Sequence, residues 1–181
     1  MKWLIASDIH GSARYCRELL AAFAREGADR LLLLGDLLYH GPRNPLPEGY
    51  DPAAVAAMLN ERRERILCVR GNCDSEVDQM VLCFPICADY AVLPLGERLL
   101  YATHGHIHSA QNPPPLSPGD ILLHGHTHIP AKEHFGENCL CLNPGSVSLP
   151  KGGSERSYMT LEGTTFRLCT LDGREYERFT L

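Results

Sequence analysis

The sequence predicts an α/β domain with an alternating strand–helix front half and a mostly β back half, packed around one core. Three patterns carry that reading. Short apolar runs end repeatedly at Gly-Asp or Gly-Asn pairs. A stretch beginning at Ser12 keeps apolar residues at a spacing near 3.6. Beyond residue 90, short strand-like segments are divided by turn residues.

The elements follow in order from local chemistry. Trp3 to Ser7 is a short apolar run ending at Asp8-Ile9-His10-Gly11. Ser12 can cap a helix that buries Tyr15, Cys16, Leu19, Leu20 and Phe23, with Gly27 as its stop. Leu31 to Leu34 is unbroken and bounded by Gly35-Asp36, as expected of a strand covered on both faces of a parallel sheet. Asp51-Pro52 reads as N-cap and first residue of a second helix, with Val55, Met58 and Leu59 inward. Arg62, Arg63 and Arg65 then suit the negative end of that helix. Ile66 to Val69 is a third buried strand ending at Gly71-Asn72. The segments 90–95, 98–103, 121–123, 139–142, 158–161, 166–171 and 175–181 complete the strands, separated by turns such as Gly96-Glu97, Glu162-Gly163 and Asp172-Gly173. The long loop from Leu37 to Tyr50 exceeds the usual connection length and is a functional candidate.

A chain of 181 residues is the size of one ordinary domain, so residues 1–181 are expected to form a single unit. With 44% hydrophobic and 22% charged residues the composition is globular, and it excludes a disordered chain. The net charge of −5 argues against an extended nucleic-acid binder, which needs a broad basic surface. No run approaches the ~18 apolar residues of a membrane span, and the apolar start stops at Ser7-Asp8, short of a signal sequence. A cytoplasmic location is expected. The eight cysteines contain no Cys-x-x-Cys and read as reduced, mostly packing residues.

Residues with metal-ligand chemistry gather where apolar strands end: Asp8-x-His10, Gly35-Asp36, Gly71-Asn72, His104-Gly105-His106 and His124-Gly125-His126-Thr127-His128. Loops converge at the carboxyl ends of strands in open α/β sheets, which is where ligand sites form. In extended backbone, residues two apart point to one side, so Asp-x-His and His-x-His would each aim two side chains into one pocket. Imidazoles, carboxylates and an amide without thiolate suit Mn, Fe, Zn, Co or Ni. The set exceeds what one tetrahedral zinc uses. Two ions ~3.5–4 Å apart that share a carboxylate and hold a bridging hydroxide fit the inventory better.

These motifs, with Asp74 after Asn72, resemble the calcineurin-like metallophosphoesterase superfamily over residues 3–147. Within it, Gly71-Asn72-Cys73-Asp74-Ser75-Glu76, Asn143-Pro144-Gly145-Ser146 and the Gly41-Pro42-Arg43-Asn44 loop are similar to the small bacterial YfcE-type phosphodiesterases. The resemblance implies a sandwich of two mixed β-sheets flanked by helices. It implies a phosphodiesterase with two divalent ions, manganese foremost, acting on a small phosphodiester, and it suggests self-association.

Carried over by residue, Asp8, His10 and His128 would hold the first ion, Asp36 would bridge, and Asn72, His104 and His126 would complete the second. Asp36, Asn72 and His104 would serve catalysis. Asp74 would orient His104 or a bound water, and His106 would lie outside the ligands or face the phosphate. Cys73 stands where many superfamily members have a His that helps protonate the leaving group, leaving His40 and His108 as substitutes.

Bland readings stand beside these. Arg43 can bind the substrate or simply anchor its loop. His124 supports its neighbours, His134 is an exposed loop residue, and Lys151-Gly152-Gly153 is a flexible loop without assigned chemistry. Competing functions are a phosphomonoesterase or nucleotide pyrophosphohydrolase on the same site, and a non-catalytic scaffold like the retromer subunit related to this family. A complete ligand set argues against the scaffold.

Overall fold

In the computed structural model, which describes residues 1–181, β1 (Lys2–Ala6), β2 (Arg30–Leu33) and β3 (Ile66–Cys68) run parallel and adjacent. Two helices carry the chain back between them: α1 (Ala13–Arg25) and α2 (Pro52–Asn60). Both helices start as their sequences require. The Ser12 hydroxyl accepts from the Tyr15 amide at 3.2 Å, and Asp51 accepts from the Ala54 amide at 3.0 Å. Helix α1 buries Tyr15, Cys16, Leu19, Ala22 and Phe23, and the chain leaves it through Gly27 at φ +58°.

The back half supplies β9 (Ser157–Glu162), β10 (Thr165–Thr170) and β11 (Glu175–Thr180). They extend the first sheet to six strands in the order β11-β10-β9-β1-β2-β3. A second sheet of β4 (Tyr90–Leu95), β5 (Arg98–Thr103), β6 (Ile121–Leu123), β7 (Ala131–Phe135) and β8 (Cys139–Asn143) has the order β4-β5-β6-β8-β7. In it β5, β6 and β8 are parallel neighbours. Both sheets are mixed, as expected of the two-sheet sandwich.

The expected single core is in fact two. Leu4, Leu31 and Leu33 face the helices together with Leu19 and Val55. The alternate residues Ile5, Leu32 and Leu34 face the second sheet, against Leu100, Ile121, Leu123 and Leu142. The six-stranded sheet is therefore a middle layer, and this is why Leu31–Leu34 carries no polar alternation. Each of those leucines is fully buried, so Leu32→Ala would cost about 2–5 kcal/mol.

Other details depart from the sequence reading. β3 is a sheet edge, so Ile66 and Leu67 are only half-buried. Arg65 does not serve α2. Its guanidinium donates to the Ala28 and Asp29 carbonyls beyond α1 and lies over the Phe23 ring. Two elements are additional. Strand β7, which carries His134, is an exposed edge whose Lys132 and Glu133 conceal any alternation. Helix α3 (Glu76–Val81) buries none of its residues and is held by a Ser75/Asp78 capping box.

Candidate metal centre

The carboxyl ends of β1, β2 and β3 meet those of β5 and β6 across the gap between the sheets. Asp8 and His10 follow β1, Asp36 follows β2, Asn72 follows β3, His104 follows β5, and His126 and His128 follow β6. The sheets are stitched at this point, where the His126 amide donates to Asp8 Oδ2 at 3.1 Å; within the five-stranded sheet the Gly125 amide donates to the His104 carbonyl at 2.9 Å. Gly125 has no substitute here, because a Cβ would lie 1.9 Å from Ser7 Oγ. At Gly71 a Cβ would lie 2.1 Å from Asp36 Oδ1.

The backbone carrying these side chains is not extended, contrary to the expectation for Asp-x-His and His-x-His. Asp8, His10, Asp36, His126 and His128 all have φ between +49° and +65°. Left-handed conformations cost an L-residue roughly 1–2 kcal/mol each. Such strain concentrates where the surrounding structure over-determines it, commonly at functional sites. Amide bonds from Asp8 to the Gly35 carbonyl (3.1 Å) and from His10 to the Asp36 carbonyl (2.9 Å) hold the two turns against each other.

Three imidazoles share one design. Nδ1 of His10, His104 and His128 donates to the carbonyls of Tyr39, Leu34 and Leu149 at 2.8, 2.6 and 2.6 Å. With Nδ1 as the donor, Nε2 of the neutral ring carries a lone pair. Those Nε2 atoms converge on one another and on oxygen acceptors. His10 Nε2 lies 3.2 Å from His128 Nε2 and 3.5 Å from Asp8 Oδ1, and His128 Nε2 is 3.3 Å from that same oxygen. On the other side, His104 Nε2 lies 3.4 Å from Asp36 Oδ2, 3.1 Å from Asn72 Oδ1 and 3.2 Å from His126 Nδ1.

Lone pairs facing lone pairs repel unless a cation or proton lies between them. Ligands about 2.1 Å from a common ion are separated by roughly 3.0–3.4 Å in octahedral or tetrahedral arrangements. The observed spacing fits such a cation. Asp8 Oδ1 is in addition buried without any hydrogen-bond partner, which suits an oxygen reserved for a metal. Asp8, His10 and His128 form one compact donor group, and Asp8, Asp36 and His104 form another.

Electrostatics follow from this crowding. Burial opposes ionisation of Asp8, yet its contacts with His10 and His128 outweigh that and hold the carboxyl well below the usual range. Asp36 is likewise lowered, burial being outweighed by the His104 contact. Burial disfavours a charged His104, but the Asp36 contact and both carboxylates raise it to about 9. His126 goes the other way, to about 4, through burial and the neighbouring His104. Burial pushes the Cys73 thiol up to about 12, and its sulfur forms a third compact donor group with His10 and Asp36.

The remaining candidates distribute around a cleft of about 400 Å³ lined by Asp36, Arg43, Asn72, His126, His128 and Lys151. Arg43 lies within it, and its loop is tied instead by Asn44, which donates to the His40 carbonyl at 2.9 Å. His106 is exposed and does not line the cleft, its ring 5.4 Å from that of His104. His40 is clamped edge-on between Tyr39 and Tyr50, and neither it nor His108 lines the cleft. Cys73 donates its amide to Asp36 Oδ1 at 2.8 Å, and its thiol receives the Asn72 amide at 3.2 Å.

Asp74 does not touch His104. Its carboxylate accepts the amides of Asp36, Leu37 and Gly71 at 2.8–2.9 Å, so it fixes the two loops that carry Asp36 and Asn72. Lys151 was the residue missed. Its amide donates to the His128 carbonyl at 3.1 Å, and no local pattern in a Gly-rich loop marks it as a cleft residue. The Asn143-Pro144-Gly145-Ser146 turn lies beside the site through Ser146, and Ser148, which no motif marks, joins it. Their hydroxyls donate to the Asp8 carbonyl at 2.9 and 3.1 Å.

Comparison with known proteins agrees with this geometry. Residues 1–165 match the model of the calcineurin-like phosphoesterase superfamily domain. The chain belongs to that superfamily. It is 50% identical to phosphodiesterase YfcE of Escherichia coli K12 over 172 residues, 95% of this chain and 93% of the relative. Identity is 29% to the probable metallophosphoesterase YsnB of Bacillus subtilis 168, over 98% of this chain and 95% of that one. The solved structure of Yfce, a phosphoesterase from E. coli, superposes with a TM-score of 0.94 at 48% identity, covering 99% of both chains. Vps29 of Chaetomium thermophilum shares the fold, with a TM-score of 0.64 at 16% identity over 99% of this chain and 97% of that one. Superfamily membership brings divalent metal ions with it, and the donor groups above are suited to hold them.

Proposed function

We propose that the chain is a two-metal phosphodiesterase acting on a small phosphodiester. The observation that carries this is the convergence of His10, His104 and His128 Nε2, each with Nδ1 tied to a carbonyl, on the carboxylates of Asp8 and Asp36. Asp8, His10 and His128 would hold one ion and Asn72, His104 and His126 the other, with Asp36 available to both. Manganese is the foremost candidate, with Zn, Fe, Co and Ni able to use the same donors. When bound, such a pair neutralises phosphate charge and makes a water acidic enough to attack at neutral pH.

The chain's own residues do the rest. Tyr39, Leu34 and Leu149 carbonyls keep the rings from turning, so the donors stay aimed without reorganisation. Asp74 accepts the Asp36 backbone amide, and the Cys73 amide donates to the Asp36 carboxylate, so that side chain is fixed from both ends. Arg43 and Lys151 place two cations on the cleft wall, able to bind the remaining oxygens of the phosphate. Both sheets contribute ligands, which supports residues 1–181 acting as one unit. Eight free thiols support a cytoplasmic, reducing setting.

The test is hydrolysis of bis(4-nitrophenyl) phosphate by metal-stripped and Mn²⁺-reloaded protein, beside a monoester and a pyrophosphate. Hydrolysis of the diester that disappears on stripping and returns on reloading is expected. Equal turnover without metal, or turnover of the monoester or pyrophosphate alone, would refute the proposal.

A further inference from the structure

Next to the metal cleft lies an open apolar cavity of about 790 Å³, a size within the range of small-molecule sites. Its walls are Tyr39 and Tyr50 from the long loop, Ala53 and Ala57 on one face of α2, and Val77 and Val81 from α3. Tyr39, Val77 and Val81 are 42%, 70% and 52% exposed, leaving apolar surface in water.

Cys73 lines this cavity and the metal cleft alike. Its sulfur lies within 4.8 Å of donor atoms of His10 and Asp36, so the partition between phosphate site and apolar cavity is a single side chain thick. The Asn60, Ser75 and Asp78 side chains of the wall are already committed. Asn60 donates to the Val81 carbonyl at 2.8 Å and accepts from the Cys83 amide at 2.7 Å, while Ser75 and Asp78 bond each other. They offer little to read sugar hydroxyls or base edges, so an occupant is recognised by apolar area.

From this continuity we propose that the cavity receives one aromatic or alkyl ester group of the phosphodiester, past Cys73, and selects aryl diesters over small or strongly polar ones. The inference rests on the phosphodiesterase reading of the cleft.

Calorimetric binding of diphenyl phosphate and dimethyl phosphate to the Mn²⁺-loaded protein tests it without requiring turnover. Diphenyl phosphate should bind about tenfold or more tighter, the ring's buried area providing the difference. Ala57→Trp, which fills the cavity, and Val81→Asp, which makes it polar, should each reduce that preference to within about twofold. Both positions are exposed, and circular dichroism checks that the variants fold. Equal affinities in the unmodified protein, or an undiminished preference in both variants, would overturn the proposal. So would a preference that survives while the variants alter sedimentation, since the cavity would then serve a second copy of the chain. Hydrolysis of bis(4-nitrophenyl) phosphate is scored separately. Activity without ring preference removes this inference alone, whereas ring preference without activity removes the phosphodiesterase reading.

Discussion

The two sheets bring different chemistry to the same gap. Loops of the six-stranded sheet contribute both carboxylates, Asp8 and Asp36, together with His10 and Asn72. Loops of the five-stranded sheet contribute imidazoles alone: His104, His126 and His128. Carboxylate–imidazole contacts cross the gap, Asp8 to His128 at 3.3 Å and Asp36 to His104 at 3.4 Å. The donor groups that include His104 or His128 draw on both sheets, so they form only where the sheets face one another. A proton or a metal ion is what reconciles the two sets of acceptors.

The largest disturbance of that arrangement is Asp36→Asn, which removes the carboxylate lying 3.6 Å from His10 Nε2 and 3.4 Å from His104 Nε2. Hydrolysis of a chromogenic diester should fall by about 10³-fold or more, with far-UV circular dichroism unchanged. Turnover near that of the unmodified protein would sink the centre as described.

Asp74→Asn tests the six-stranded side alone. Its amide nitrogen would face at least one of three backbone N–H groups. A 10–100-fold loss of activity and weaker metal binding by titration should follow, even though Asp74 touches no proposed ligand side chain. Lys151→Ala, on the cleft wall, should raise KM about tenfold and leave kcat within about threefold, because it removes phosphate binding rather than the donors.

The smallest effect is on stability and sharpens the cross-sheet pairing. In metal-free protein His104 titrates near 9, above the 6.5 of an unfolded histidine. Its contribution is complete below pH 6.5 and lost as pH rises towards 9, so Tm should decline across that window. His10 is raised as well and acts in the same direction, whereas His106, His124 and His126 are lowered and act below 6.5. Metal bound at the proposed ligands would hold His10, His104 and His126 neutral, and the profile should then be flatter. A steeper decline with metal than without would contradict the pairing.

Much of this was legible in the chain. Unbroken apolar runs named the buried strands, and caps at Ser12 and Asp51 named two helices. Asp and His residues recurred where those runs stop, because loops after parallel strands are where polar groups can converge without disrupting a sheet. Strand β7 and helix α3 escaped because neither buries a periodic apolar face; the Ser75/Asp78 cap was the one local trace of the latter.

Residue types and their order along the chain thus determined by themselves that there are strands, where they end, and which side chains have ligand chemistry. Tertiary structure decided which atom of each side chain is offered. Tying Nδ1 of His10, His104 and His128 requires carbonyls 29, 70 and 21 residues away. The Asp36 and Leu37 amides on Asp74 and the place of Lys151 beside His128 likewise come from segments distant in sequence. Local propensity encodes the preference of a residue for its own neighbourhood, whereas tautomer, strain and cleft charge depend on partners that only folding brings near.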